Sequence, residues 1–152
     1  MTDRVISDFR GQHDFLSNFF PVEIDYEGAV YPTIEHAFQA AKSLDFAERR
    51  AVKQAKTAGE AKRLGRKIRR RADWFDVSLV IMESLVRQKF TAYPELRAKL
   101  LETGDIPLIE GNNWNDRFYG AVYDTTRNEW VGENHLGKIL MKIRDELKQG
   151  AK

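Results

Sequence analysis

Four side chains between residues 35 and 42 carry groups that can bind a ligand or take part in a reaction: Glu35, Phe38, Gln39 and Lys42. Their spacing of i, i+3, i+4 and i+7 places them on one face if the segment is helical. A carboxylate, an amide and an amine then line up beside an aromatic ring. The carboxylate can serve as a general acid or base. An exposed helix with an ordinary Glu and Lys is the alternative that the spacing leaves open.

A second group of polar and aromatic side chains lies in the loop at residues 111–120. It holds more hydrogen-bonding groups than a connection needs: Asn112, Asn113, Trp114, Asn115, Asp116 and Tyr119. Loops of this composition often carry sites, although Asn and Asp also serve local turns. Glu35 and Asp116 together would offer an acid or base and a charge that stabilises a ribosyl oxocarbenium ion.

A basic segment precedes Trp74. It contains nine cations with Glu60 as the only acid among them: Lys53, Lys56, Lys62, Arg63, Arg66, Lys67, Arg69, Arg70 and Arg71. The segment can contact phosphates, as in a nucleic-acid-binding protein, or it can be a solvated helix face. Trp74 can stack on a planar base or anchor the start of a helix in the core.

Composition narrows the classes of protein and of site. The chain has 152 residues, 42% of them hydrophobic, which suits one domain with a single core. It has no cysteine, which excludes thiolate nucleophiles, cysteine-based zinc sites and disulfides, and is compatible with the cytoplasm. The net charge of +2 is too small to indicate strong nonspecific nucleic-acid binding. No apolar run at the N-terminus is long enough for a signal peptide or a membrane span.

Several common kinds of site are not indicated by the sequence. The histidines His13, His36 and His135 lack metal-ligand spacing. The glycines match neither a phosphate-binding loop nor a dinucleotide fingerprint, and no serine lies in a nucleophile elbow. We therefore predict no metal and no cofactor.

The elements that must position these residues are mostly helical. Alternating apolar residues from 20 to 26 and the turn at Glu27 and Gly28 predict a β-hairpin. Thr33 can cap a helix over residues 34–44. Further helices are predicted at 46–56 and 60–65, after the possible caps Asp73 and Asp76, and at 95–102 behind Pro94.

The remaining expectations concern the core and the C-terminal part of the chain. In the helix after Asp76, one stripe is expected to face inward: Val77, Val80, Ile81, Ser84 and Leu85. Residues 106–110 and 118–123 are predicted to be short strands, and Asn134 is predicted to cap a final helix. The fold class is α+β, a single compact helix-rich domain with a small β-sheet at residues 1–147, followed by a tail at 148–152.

Segments along nearly the whole chain, in order, resemble the YbiA-like N-glycosidase family, also called the NADAR superfamily. They are FLSNF at residues 15–19, YPTIEHAFQAAK at 31–42, LGR at 64–66, Trp74, Met82, KF at 89–90, residues 96–104, NDRFYG at 115–120 and GENHLGKILMKIR at 132–144. The resemblance implies an α+β N-glycosidase that separates a nucleobase-like group from a ribose or ribose phosphate. One branch of the family acts on phosphoribosylaminopyrimidine intermediates of riboflavin biosynthesis. Another removes ADP-ribose from guanine bases in nucleic acid.

Matched position by position, the resemblance also implies roles for individual residues. Glu35 is implied as general acid/base or ion stabiliser, Asp116 as its carboxylate partner, and Trp74 as a residue that shapes the site. Lys42 is implied to bind phosphate or to attack the ribose C1 as a nucleophile. The substrate-binding residues implied are Phe15, Ser17, Asn18, Gln39, Lys89, Tyr119, Gly120 and Asn134. The family commonly has Trp where Tyr119 stands, so the preference for the leaving group is open.

The substrate expected is therefore a small nucleotide-like molecule, either a ribose phosphate or an ADP-ribose conjugate, and ADP-ribosylated nucleic acid is a further possible partner. The rival hypothesis is a module that binds ADP-ribose or a nucleotide without hydrolysing it. A pure binding module needs no pair of carboxylates, whose charges repel a pyrophosphate. The presence of both Glu35 and Asp116 favours the enzyme.

Overall fold

The computed structural model describes residues 4–150, which divide into two compact units. The first, called here the continuous unit, is Asn18–Ala92. The second, called the split unit, joins the segment before Asn18 to the segment after Ala92. The single domain expected at residues 1–147 stays a prediction. Residues 1–3, where no signal segment is predicted, and residues 151–152 of the expected tail lie outside the described residues.

The continuous unit begins with the predicted hairpin. Strands β1 (Ile24–Tyr26) and β2 (Ala29–Tyr31) pair antiparallel, with Ile24 opposite Tyr31. The backbone φ angles are 45° at Glu27 and 86° at Gly28. Two successive positive φ values are typical of the tight turn that matches the twist of two paired strands. The hairpin prediction is confirmed.

Four helices complete this unit: α1 (Ile34–Ala41), α2 (Phe46–Lys53), α3 (Ala58–Gly65) and α4 (Trp74–Ala92). Thr33, Asp45 and Thr57 cap the first three, because each side-chain oxygen accepts a hydrogen bond from a free N–H of the first turn. Helix α1 ends at Ala41, three residues earlier than predicted, and Asp45 caps the next helix. It packs against the other three helices and both strands, and all eight of its residues are buried.

Helix α4 presents a different face to the core from the predicted one. Val80 is 71% exposed, whereas Met82 and Phe90 are buried. The buried face also includes Ser78 and Lys89. The predicted inward stripe is therefore wrong at Val80 and Ser84, which are exposed, whereas Val77 and Ile81 are half-buried and Leu85 is buried. Hydrophobicity alone misplaces this face because two of its members are polar.

The split unit contains two helices, two strands and a short 3₁₀ segment at Gly11–Leu16. Helix α5 (Pro94–Glu102) packs against that segment and against helix α6 (His135–Gly150). Strands β3 (Val122–Asp124) and β4 (Glu129–Val131) form an antiparallel pair. The sequence did not predict β4.

Three expectations for this unit differ from the structure. The strand predicted at residues 118–123 is observed only as β3, which begins at Val122. Residues 106–110 form no strand, and Leu108 makes only an isolated parallel bridge to Ile6. Helix α6 continues to Gly150, beyond the predicted start of a tail at residue 148. The Lys148 amine lies on this last turn and donates a hydrogen bond to the Gly104 carbonyl at 2.8 Å. Among residues 4–150, no helix is both long enough and apolar enough to cross a membrane.

Candidate active site

Glu35 lies in the first turn of α1 and is 7% exposed. Its peptide N–H donates to the Asn18 carbonyl oxygen at 3.1 Å, and its carboxylate oxygen Oε1 accepts the Gln39 amide at 2.8 Å. Burial of an ionisable group is costly unless the group is hydrogen-bonded. The exposed-helix alternative for this segment is therefore wrong: the Glu35 carboxylate is enclosed and held.

Asn18 and Gln39 surround Glu35 and are themselves buried. The Asn18 amide nitrogen lies 3.4 Å from the sulfur of Met82, and its carbonyl oxygen Oδ1 has no hydrogen-bond partner among the described residues. Oε1 of Gln39 is likewise buried without a partner there. Buried acceptors without donors are uncommon in folded proteins, so the two residues that hydrogen-bond to Glu35 make this region a candidate site.

Lys42 follows α1 directly and is half-buried. Burial lowers the pKa of the Lys42 amine, and the Glu35 carboxylate offsets part of that shift by raising it. Three cations lower the pKa further: Arg70, Arg66 and Lys62. The charges that act on Lys42 are therefore one carboxylate and several cations, which suits binding of an anion or loss of the Lys42 proton.

Trp74 begins α4 and packs against Phe38 of α1, with 5.0 Å between the ring centroids. Trp74 is only 7% exposed and thus braces the helix that carries Glu35.

Lys89 is also buried, and its amine lies 5.1 Å from the centroid of the Phe20 ring and 5.2 Å from that of Phe90. An ammonium at that distance from aromatic faces is stabilised electrostatically.

Asp116 belongs to the split unit, where its carboxylate organises the loop at residues 111–120. Oδ1 accepts the peptide N–H groups of Phe118 at 3.0 Å and Tyr119 at 3.1 Å. The Asn112 side chain in turn accepts the Asp116 N–H and donates to its carbonyl, both at 2.8 Å. One carboxylate oxygen is thus used in a local turn, as the alternative interpretation of this loop predicts.

Gly120 and Asn134 both contact the backbone of residues 108–110. A Cβ on Gly120 would lie 2.3 Å from the Glu110 carbonyl oxygen, so only glycine permits this close approach. The Asn134 side chain accepts from the Glu110 N–H and donates to the Leu108 carbonyl, each at 2.9 Å. Both residues therefore have a clear structural task in addition to the substrate-binding role predicted for them.

Phe15, Ser17 and Tyr119 complete the predicted residues of the split unit. Phe15 is buried in the 3₁₀ segment, and the Lys99 amine lies 5.7 Å from its ring centroid. The Ser17 N–H donates to the Asp14 carbonyl at 2.9 Å. Tyr119 is half-buried and packs edge-on against Phe118, with 4.8 Å between centroids.

The predicted site residues divide equally between the two units. The continuous unit contains six: Asn18, Glu35, Gln39, Lys42, Trp74 and Lys89. The split unit contains the others: Phe15, Ser17, Asp116, Tyr119, Gly120 and Asn134. Within the described residues no group of three or more His, Asp or Glu side chains is placed to hold a metal ion.

Sequence reasoning missed the importance of one residue beside Glu35. Gly65 ends α3, and a Cβ built there would lie 1.9 Å from Oε1 of Gln39. Sequence gives little signal for this contact, because a glycine at the end of a predicted helix is an ordinary helix-stop residue.

Comparison with known proteins adds information on the family. The NADAR domain pattern matches residues 6–148. The riboflavin biosynthesis protein VVA0006 of Vibrio vulnificus is 38% identical over 141 residues, which are 91% of this chain but 37% of that protein. The N-glycosidase YbiA of Escherichia coli is 34% identical over 97% of this chain and 91% of its own length. The NMR structure of E. coli YbiA superposes with a TM-score of 0.81 at 32% identity, covering 99% of this chain and 89% of that one. The α+β, helix-rich fold class is thereby confirmed.

Proposed function

Because this chain belongs to the NADAR domain family and is an N-glycosidase, we propose that the bond it hydrolyses joins a ribose to a nucleobase-like group. The observation that carries the proposal is the enclosed Glu35 carboxylate, held by Gln39 on a fully buried helix. A fixed carboxylate at the ribose C1 stabilises the cationic sugar of the transition state.

The reaction requires few groups. The bond between C1 and nitrogen breaks, and the electron pair leaves with the nitrogen of the base. Water then bonds to C1 and gives its proton to Glu35, which acts as a general base. Glu35 passes this proton to the departing nitrogen, so the base leaves neutral and the Glu35 carboxylate is regenerated. Trp74 packs against Phe38 of α1. Asp116 is the second carboxylate that the family resemblance implies, and its role is tested by the variants described below.

The preferred substrate is a phosphorylated riboside, such as a phosphoribosylaminopyrimidine. Support comes from the cations around Lys42 and from the naming of one relative as a riboflavin biosynthesis protein. Within residues 4–150, neither Arg66 nor Arg70 has an ion-pair partner, so both charges are available to an anion. A cytoplasmic location belongs to the same proposal and is supported by the absence of cysteine.

The test is a panel of four compounds incubated with the protein: the phosphoribosylaminopyrimidine, NAD, ADP-ribose and an oligonucleotide with ADP-ribosylated guanine. Released base and sugar are measured by chromatography and mass spectrometry. We expect the first compound to be hydrolysed fastest. Faster release from the oligonucleotide would instead identify the nucleic-acid substrate, and binding without release from any compound would support a pure binding module.

We predict that the cations around Lys42 recognise the substrate phosphate. The Arg66→Gln and Arg70→Gln variants should each raise KM by roughly tenfold for the phosphorylated riboside, since a charge-assisted contact is worth about 1.5 kcal/mol. Neither should alter KM for the riboside without phosphate. Arg63→Gln is the matched control, because Arg63 is exposed on α3, three residues before Arg66, but is not among the charges that act on Lys42.

The same kinetics decide the role of Lys42. As a phosphate ligand, Lys42 should behave like Arg66, with Lys42→Gln raising KM only for the phosphorylated compound. Covalent attachment of the sugar to Lys42 on reduction with borohydride would contradict this role and identify the amine as the nucleophile.

For Asp116 we predict a separation of structural and catalytic effects. Asn retains the oxygen that accepts two peptide N–H groups. The free energy of unfolding of Asp116→Asn should therefore lie within about 0.5 kcal/mol of that of the wild type. Asp116→Ala leaves both donors without that acceptor and should cost about 1–2 kcal/mol, measured by urea unfolding. A catalytic carboxylate requires that Asp116→Asn nevertheless lowers kcat, and unchanged kcat in this variant would assign Asp116 to the turn alone.

A further inference from the structure

The amide of Gln39 has one orientation that suits its surroundings. Its nitrogen Nε2 lies 2.8 Å from the Glu35 carboxylate, and its oxygen Oε1 is buried without a partner. The reverse orientation would place a carbonyl oxygen against a carboxylate oxygen, two acceptors with no proton between them. Gln39 therefore acts as a donor to Glu35.

Gly65 makes this orientation possible because it has no side chain, and not because of its backbone conformation. It is the last residue of α3, without a positive φ. A Cβ there would lie 1.9 Å from Oε1 and 2.7 Å from Cδ of Gln39. Real atoms do not approach so closely, so any larger residue at this position must push the Gln39 amide away. The missing side chain of Gly65 is the space that the amide oxygen occupies.

We infer that Gly65 and Gln39 form a positioning device for Glu35. Helix α3 confines the Gln39 amide through Gly65, and the amide fixes the rotamer of the carboxylate. Gln39 then acts through Glu35 and does not bind substrate, in contrast to the role that the family resemblance implies. The inference rests on the proposed function of Glu35 for its catalytic consequence, whereas the contact itself can be tested without substrate.

The kinetic test replaces Gln39 with Met, which has a similar length but cannot donate. With a positioning role, Gln39→Met lowers kcat by roughly 10²-fold, the order of loss expected from a misplaced catalytic group. KM stays within about threefold, because ground-state binding is untouched. In the Glu35→Gln background the same change has no further effect on residual kcat. An increase in KM that is equal in both backgrounds would overturn the inference and make Gln39 a substrate ligand.

The second test needs no substrate and measures the contact between the two helices. Gly65→Ala should lower the melting temperature by roughly 5 °C in the wild type, the effect of an overpacked site. The loss should shrink to about half or less in a Gln39→Ala background, since the clashing atoms Oε1 and Cδ are then gone. Gly59→Ala on the same helix is the control, because the nearest atom to its Cβ is 3.9 Å away.

The two tests fail separately. Equal losses from Gly65→Ala in both backgrounds would overturn the contact, whatever the enzyme does. A wild type that hydrolyses none of the four compounds would refute the proposed function, while the melting experiment still decides whether Gly65 confines Gln39.

Discussion

The Glu35→Gln variant is expected to hydrolyse its substrate with a kcat about 10³-fold below that of the wild type, within the roughly 10²- to 10⁴-fold that a positioned acid or base contributes. Gln preserves the size of the side chain and still offers an oxygen to the Gln39 amide. It can neither accept a proton from water nor carry the charge that stabilises the ribosyl cation. Steady-state kinetics on the best compound of the panel measures the loss.

Two controls separate this chemical effect from a folding defect. Glu95→Gln makes the same change of charge in the first turn of α5, at an exposed position, and should leave kcat unchanged. Circular dichroism should show that Glu35→Gln has the helix content of the wild type. A folded Glu35→Gln variant with wild-type kcat would remove Glu35 from the mechanism, even if the glycosidase activity is real.

The largest loss of stability is expected from Gly137→Ala in the split unit. A Cβ at Gly137 would lie 2.2 Å from the Leu108 carbonyl oxygen and within 2.5 Å of both polar atoms of the Asn134 side chain. Leu108 is fully buried and bridged to Ile6, so its backbone cannot move without disturbing the packing. We expect a cost of about 3 kcal/mol and a fall in melting temperature of roughly 10 °C.

Gly150→Ala provides a control within the same helix. No atom lies within 4 Å of the Cβ that would be added at Gly150. Because Ala favours the helix by up to about 1 kcal/mol relative to Gly, this variant should be as stable as the wild type or slightly more stable. Urea unfolding of both variants gives the comparison. Equal stability of the two would show that the split unit relaxes around Leu108 at no cost.

The fold could be predicted wherever local chemistry determines it. The cap Thr33 and the turn at Glu27 and Gly28 act on their immediate neighbours, so sequence alone reveals them. The buried face of α4 could not be predicted, because Ser78 and Lys89 are polar and only tertiary contacts make burial of such residues tolerable. Residues 106–110 looked like a strand for the opposite reason: they are apolar, but their hydrogen bonds are scattered over several segments.

The candidate site was predictable as a helix face, but not as an arrangement. Spacing places Glu35 and Gln39 one turn apart, and the structure shows the hydrogen bond that this permits. Their enclosure depends on α1 packing against three helices, which no local pattern indicates. Gly65 contributes through an absent side chain, and its effect becomes visible only when α3 and α1 are seen together.

The division of the chain into two units implies an order in which these units fold during translation. Asn18 and Gln39, which hydrogen-bond to Glu35, and Gly65, which contacts Gln39, lie in a segment that is complete once residue 92 has left the ribosome. Domains generally fold as units during translation, beginning from the N-terminus. The split unit must wait for the residues after Ala92 to join those before Asn18. We therefore expect the hydrogen bonds around Glu35 to form on the nascent chain, before Asp116 has emerged from the ribosome.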